Sequence, residues 1–203
     1  MFMIHTIIFD VGGTLVNAPD IFEVIANGDI NIKKKIIEKF QYLYSGRKFY
    51  TIKEILQRVT NDLSMNIKAD EMYIDIFTNK SHLFDETFET LKLLKDKTKL
   101  IIASDADSDV LIPELKKLDI YKYFNKILVS SDIKAYKNSD KFVKKIIPLL
   151  YHPYNKILFV GDSSVDMEIA KKIGVKSVYI KRTEKKFESD YVITNLKELI
   201  NLI

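Results

Sequence analysis

Six short segments of the chain are apolar almost throughout and rich in β-branched residues: Ile4 to Phe9, Lys99 to Ala103, Lys126 to Val129, Lys156 to Val160, Val175 to Ile180 and a weaker Tyr191 to Ile193. They lack the polar alternation of a strand with one wet face, which is the pattern of parallel strands covered on both sides. Between them, Leu111, Leu115 and Leu118 recur at helical spacing, as do Phe142, Ile146 and Leu149. Ser163 to Ile173 opens on Ser163-x-x-Asp166, a capping-box pattern, and closes on Gly174, a C-cap signal. Strand alternating with helix predicts an α/β fold, a doubly wound parallel sheet with right-handed crossovers.

One interval breaks the alternation. From about Val16 to about Leu83 no comparable strand candidate occurs, and helical periodicity takes over at Ile32, Ile36, Ile37 and Phe40, at Ile52, Ile55, Leu56 and Val59, and at Met72, Ile76 and Phe77. A crossover needs only a dozen or so residues, so this stretch predicts a helical cap inserted after the first strand. The division expected is a core of residues 1–16 and 84–203 and a cap of residues 17–83, with Glu86 to Lys95 as the true crossover helix.

Composition narrows the chemistry. The 203 residues, 47% apolar and 30% charged, suit one globular domain with a small inserted subdomain. There is no cysteine, which excludes disulfides, thiolate zinc sites and cysteine nucleophiles. The three histidines, His5, His82 and His152, are scattered, so a metal must rely on oxygen ligands, favouring magnesium, manganese or calcium. The net charge of +4 rests mainly on lysine, because Arg47, Arg58 and Arg182 are the only arginines. Lys33-Lys34-Lys35 reads as a solvated helix face, and no nucleic-acid partner is expected. Met1-Phe2-Met3-Ile4 runs too soon into His5 and Asp10 for a leader peptide, and no stretch approaches the ~20 apolar residues of a membrane span. A cytoplasmic protein without a membrane partner is the expectation.

In an open α/β sheet, ligands gather beyond the carboxyl ends of the strands. Those ends carry Asp10-Val-Gly12-Gly13-Thr14, then Ser104-Asp105-Ala-Asp107, then Ser130-Ser131-Asp132 followed by Lys137, then Gly161-Asp162-Ser163-Ser164-Val-Asp166. Singly, each has a structural reading: Asp10 as a turn cap, Ser104 as an N-cap, Asp166 as the partner in the capping box, Lys137 as one lysine among many. Together, at four successive strand ends, they offer two acidic clusters, a hydroxyl and a lysine, a set able to bind a divalent cation and a phosphate. Carboxylates gathered this way repel and raise one another's pKa unless a cation intervenes. Magnesium takes carboxylate and carbonyl oxygens and keeps waters that a phosphate can displace.

Phe9-Asp10-Val-Gly12-Gly13-Thr14-Leu15 resembles the first motif of the haloacid dehalogenase superfamily, Ile101 to Ser104 its second, Lys137 its third, and Val160 to Asp166 with Ala170 and Gly174 its fourth. The resemblance implies a Rossmann-like core, with the helical insertion as the superfamily's cap between motifs one and two. It implies Asp10 as the nucleophile that forms an aspartyl-phosphate. Gly13, Ser104, Asp105 and Lys137 would hold the phosphoryl oxygens, and Asp10, the Gly12 carbonyl, Asp162 and Asp166 would bind Mg2+ directly or at one remove. The substrate implied is a small phosphate ester or acyl phosphate.

The pattern departs from the superfamily's phosphatases at Gly12, where they carry a second aspartate that protonates the leaving oxygen and later activates water. Asp105, Asp107, Tyr44 and Lys48 are candidates to replace it. Dehalogenases of the superfamily also lack that aspartate but work without metal, so Asp162 and Asp166 favour phosphoryl transfer; Arg47 would be the carboxylate clamp in a 2-haloacid dehalogenase. A third reading is a regulatory relic that binds metal and phosphate without turnover. Oligomeric state is not legible in the sequence.

Overall fold

The computed structural model describes residues 4–150 and 153–203; Met1 to Met3, on which the leader expectation partly rests, and His152 lie outside the described residues. In chain order, β1 (Thr6–Phe9) and a two-residue β2 (Val16–Asn17) lead into helices α1 (Ile21–Ala26), α2 (Ile30–Tyr44), α3 (Ile52–Asp62) and α4 (Ala69–Asp75). A π-helical turn (Ile76–Lys80) follows α4 and leads to β3 (His82–Leu83). The rest alternates: α5 (Thr87–Leu94), β4 (Lys99–Ser104), α6 (Ser108–Lys117), β5 (Lys126–Val129), a single-turn α7 (Ser130–Ile133), α8 (Asp140–Ile146), β6 (Ile157–Gly161), α9 (Ser164–Ile173), β7 (Lys176–Ile180) and β8 (Tyr191–Ile193), before a closing 3₁₀ turn (Leu196–Asn201).

Six strands form one sheet in the order β5-β4-β1-β6-β7-β8, every neighbouring pair parallel. The side chains of β1 explain why. Ile7 and Phe9 pack on one face with Leu91 and Leu94 of α5 and Leu111 and Leu115 of α6, while Ile8 packs on the other with Phe142 and Ile146 of α8 and Ile169 and Ile173 of α9. A strand dry on both faces needs helices on both, and that is the doubly wound α/β arrangement.

A third apolar cluster belongs to the helices between β2 and β3. Ile36, Ile55, Leu56, Val59, Ala69 and Tyr73 are buried there, joined by Val110 and Tyr136 from the sheet side. The structure adds strands where periodicity predicts none: Val16 and Asn17 pair antiparallel with Leu83 and His82 at the two ends of the insertion. Two residues are too few to show a period of two. The helix expected through Leu149 stops at Ile146 and tightens into a 3₁₀ turn containing Pro148, which cannot donate the next helical hydrogen bond. α9 begins at the anticipated capping box and ends at Gly174, whose φ of 84° is the left-handed cap that glycine accommodates.

The register positions the site. Phe9 lies level with Ile102 on one side and Val160 on the other, so Asp10, Ser104 and Asp162 leave the sheet along one edge.

Candidate active site

Asp10 follows β1 and is almost fully buried. The chain turns at once: the amides of Thr14, Leu15 and Val16 all donate to the Val11 carbonyl, and Gly13 N–H donates to the Val16 carbonyl. The turn brings Thr14 Oγ1 back to Asp10 Oδ2 at 3.3 Å. It also explains the second glycine. Gly13 has a φ of +72°, and a Cβ there would sit 2.2 Å from Asp162 Oδ2. Gly161 is constrained similarly, since its Cβ would lie 2.2 Å from Cγ of Asp166. Both glycines let an acidic side chain close over the backbone.

Asp10, Asp162 and Asp166 each present an oxygen within 4.8 Å of the others. Lys137 enters from the loop after α7, its Nζ donating to Asp10 Oδ1 and Asp166 Oδ1, both at 2.6 Å. Burial alone would pull this lysine's pKa down, yet the carboxylates of Asp10 and Asp166 hold it well above the usual lysine value. One ammonium does not balance three carboxylates. Burial pushes Asp10 up to about 7, with Lys137 opposing and Asp166 and Asp162 adding to the rise. Asp162 is pushed up to about 6 by burial and by Asp166. This is the signature of an all-oxygen donor set short of positive charge, and it fits a hard divalent cation.

Asp166 is the most committed of the three. Its Oδ2 accepts from Ser163 N–H at 3.0 Å and Ser163 Oγ at 2.6 Å, while Oδ1 takes Lys137. It is fully buried. The capping role and the charge-cluster role therefore coexist in one side chain.

Ser104 ends β4 beside Asp10, and both line a cavity of about 250 Å3 between sheet edge and helical insertion, together with Gly12 and Asp105. Asp105 is fixed from two sides: Lys137 N–H donates to its Oδ1 at 2.8 Å, and the Tyr44 hydroxyl from α2 donates to its Oδ2. Burial raises the Asp105 pKa, and burial together with Asp105 drives the Tyr44 phenol far above its usual range.

The insertion is docked on the core by further bonds. Asp107 accepts from Ile52 N–H at 3.1 Å and Lys53 N–H at 2.9 Å, capping α3 from across the cleft. Tyr136, next to Lys137, donates to the Tyr50 carbonyl at 3.0 Å. Of the candidates to replace an acid at Gly12, Asp105 and Asp107 are thus held in other bonds, and Lys48 lies over the Tyr50 ring on the exposed side. Tyr44 extends from the insertion to Asp105, is held there by its hydroxyl, and does not itself line the cavity. Arg47 is exposed and does not line the cavity.

Two residues carry weight that motif reading passed over. Glu114 is buried in the cavity wall with Oε1 lacking any hydrogen-bond partner. Its signal was available: it falls four residues after Val110 and three after Leu111, on the apolar stripe of α6. Arg182, after β7, pairs with Glu86 at 2.8 Å, donates to the Thr14 carbonyl at 3.0 Å and stacks 3.6 Å from the Phe84 ring centre. It ties the Asp10 turn to the base of the insertion, a link that no local pattern encodes.

Among known proteins, a family model described as haloacid dehalogenase-like hydrolase matches residues 7–180. A phosphoglycolate phosphatase of Aquifex aeolicus is 26% identical over 98% of this chain and 96% of its own. A Bacillus subtilis protein solved bound to magnesium superposes with a TM-score of 0.76 at 16% identity, covering 98% of both chains. L-2-haloacid dehalogenase from Xanthobacter autotrophicus gives 0.77 at 15% identity, again over 98% of each. These structural likenesses concern the fold; among the described residues no helix is long and apolar enough to cross a membrane.

Proposed function

The chain belongs to the haloacid dehalogenase-like hydrolases, and from that premise we propose that it is a magnesium-dependent phosphohydrolase working through an aspartyl-phosphate on Asp10. The observation that carries the reading is the meeting of Asp10, Asp162 and Asp166 within 4.8 Å, with Lys137 bridging two of them. Phosphatases among the relatives support it, as does a structural neighbour holding magnesium.

In this reading an Asp10 carboxylate oxygen attacks phosphorus, the bond from phosphorus to the leaving oxygen breaks, and water then cleaves the acyl phosphate to return Asp10. Ser104, with the Asp105 backbone amide, holds the phosphoryl oxygens; the Gly13 amide, expected to join them, is spent on the Val16 carbonyl at 2.8 Å. Lys137 favours the ionised form of Asp10 against the rise that burial imposes and offsets negative charge on the transferring group. Asp10, Asp162 and the Gly12 carbonyl are the groups that would hold magnesium, whose charge offsets that of the phosphoryl group; Asp166 supports them from behind through Lys137 and Ser163. Residues 17–83 act as the cap that shields the reaction from bulk water.

Gly12 supplies no proton to the leaving oxygen. Such a donor is worth roughly 10²–10⁴-fold, so substrates whose leaving groups depart as stable anions, acyl and aryl phosphates, are the expected ones. The test compares aryl and alkyl phosphate turnover with and without magnesium, alongside trapping of Asp10 with beryllium fluoride. Magnesium-dependent turnover favouring aryl phosphate supports the reading. Chloride release from a 2-haloacid in the presence of chelator would replace it with dehalogenation, and tight trapping without turnover of any phosphate would make the chain a binding relic. Against the dehalogenase alternative stands the cavity wall, where the described residues include no arginine or lysine to hold a substrate carboxylate.

A further inference from the structure

The cavity beside Asp10 is polar at one end only. Around Asp10 and Asp105 it is acidic; beyond them its walls are Phe22, Phe40 and Phe77 from the insertion and Val110 and Leu111 from α6. The one polar side chain interrupting those apolar walls, apart from the hydroxyl of Tyr73, is Glu114. Among the described residues that line the cavity there is no lysine, arginine or histidine. At about 250 Å3 the space lies below the roughly 300–1,000 Å3 usual for small-molecule sites.

A leaving group that carries a negative charge of its own, away from the oxygen bonded to phosphorus, would have that charge stripped of water among aromatic rings and facing carboxyl groups in place of a cation. An unpaired buried charge is strongly disfavoured. An uncharged apolar group buries its surface at no such penalty. We infer that this cavity selects phosphate substrates whose leaving group is small, apolar and, away from the oxygen bonded to phosphorus, free of charge, and that Glu114 is the specificity residue, hydrogen-bonding a polar atom that such a group carries. The inference rests on the phosphohydrolase reading and narrows its substrate class.

The state of Glu114 agrees with that task. It is only 2% exposed, and its Oε1 has no hydrogen-bond partner, which a buried polar atom rarely lacks without reason. Burial pushes its pKa up to about 7, opposed only by the Ser81 hydroxyl. A carboxyl that keeps a proton up to about pH 7 can donate to a hydroxyl, carbonyl or ether oxygen, and it discriminates against an anion once ionised. Selection thus works by attraction and by repulsion together. Phosphoglycolate, which carries a carboxylate in the group it would release, falls in the rejected class.

The decisive comparison uses the full chain with magnesium and two aryl phosphates, phenyl phosphate and 4-carboxyphenyl phosphate, which differ by one carboxylate far from phosphorus. Acetyl phosphate, whose leaving group is far smaller than a phenyl ring and carries no second charged group, reports the phosphohydrolase activity itself. The expected result is a kcat/KM for phenyl phosphate at least about 100-fold above that for its carboxylated partner. Glu114→Lys should lower that ratio at least roughly tenfold; Phe77→Lys, which puts a cation on the opposite wall, should do the same if the first variant fails to fold. Equal kcat/KM for the two aryl phosphates, with acetyl phosphate hydrolysed, would overturn the inference and leave the phosphohydrolase reading standing. No turnover of acetyl phosphate would overturn that reading instead. The pocket would then be judged by calorimetric binding of phenylphosphonate against 4-carboxyphenylphosphonate: tighter binding of the uncharged ligand supports selection, and equal binding refutes it.

Discussion

Restoring an acid at Gly12 is the sharpest way to perturb this site. A Cβ built at Gly12 meets nothing within 4 Å, and Gly12 is not among the glycines with positive φ. An aspartate can therefore enter without moving the backbone, whereas the same change at Gly13 would collide with Asp162. The new carboxyl would share the cavity with Asp10, whose pKa burial already pushes up to about 7. Burial and repulsion by the same neighbours should raise its pKa in the same direction, and a carboxylic acid still protonated near neutral pH is what a leaving alkoxide needs. Gly12→Asp is expected to increase kcat/KM for an alkyl phosphate such as ethyl phosphate by about 10²-fold or more, the lower end of the general-acid contribution. 4-Nitrophenyl phosphate, whose leaving anion is already stable, should gain far less. Steady-state assays in magnesium, with a melting curve to establish that the variant is folded, measure both. A folded variant whose two rates rise equally, or neither rises, would refute the claim that a proton donor is what this site lacks.

Lys137→Met should remove turnover and lower stability by about 3–5 kcal/mol in magnesium-free buffer, because Asp10 and Asp166 are left as buried carboxylates without their cation; urea denaturation measures the loss. Asp107→Ala should free the first turn of α3 from the core, destabilising by about 1–2 kcal/mol and raising KM more than it lowers kcat, read from the same denaturation and from kinetics on an aryl phosphate. For Glu114 the ordinary value of 4.5 rises to about 7 in the fold, so the folded state holds the extra proton between those limits. Its contribution is absent below about 4.5, grows more unfavourable as pH rises to about 7, and is constant above, for a total of about 3 kcal/mol. Glu114→Gln should therefore gain stability relative to the parent by up to that amount between about pH 4 and pH 8, and a pH-independent difference in denaturation free energy would contradict the assignment.

The sheet was legible because its chemistry is local. Ile7, Ile8 and Phe9 are apolar without alternation since both faces of β1 are covered, and the order of motifs follows the order of strands. Ser104, Lys137 and Asp162 could be nominated from strand ends before any distance was known, because a parallel sheet delivers every carboxyl end to one edge. What escaped depends on contacts between segments distant in sequence. The β2–β3 pair is two residues long on each side and separated by the whole insertion. Arg182 acquires its meaning from Thr14, Phe84 and Glu86, none of them close to it in the chain. Asp107 looked like a spare acid until the amides of Ile52 and Lys53 proved to be its partners.

Asp166 shows why motif spacing could nominate this site without dividing the work inside it. The interval Ser163-x-x-Asp166 satisfies a capping box and a metal motif alike, and the sequence offers no reason to prefer one. The structure uses both ends of the carboxylate: Oδ2 starts α9 through Ser163, while Oδ1 holds Lys137, which in turn reaches Asp10. Helix start, lysine and Asp10 are thereby linked in a line through one buried side chain, with Gly161 obliged to lack a Cβ so that the line can close. Replacing Asp166 by asparagine would keep a capping oxygen and lose the charge facing Lys137, so the helix would survive while the lysine lost one of its two carboxylates. The position of Lys137, more than the fold, is what Asp166 secures.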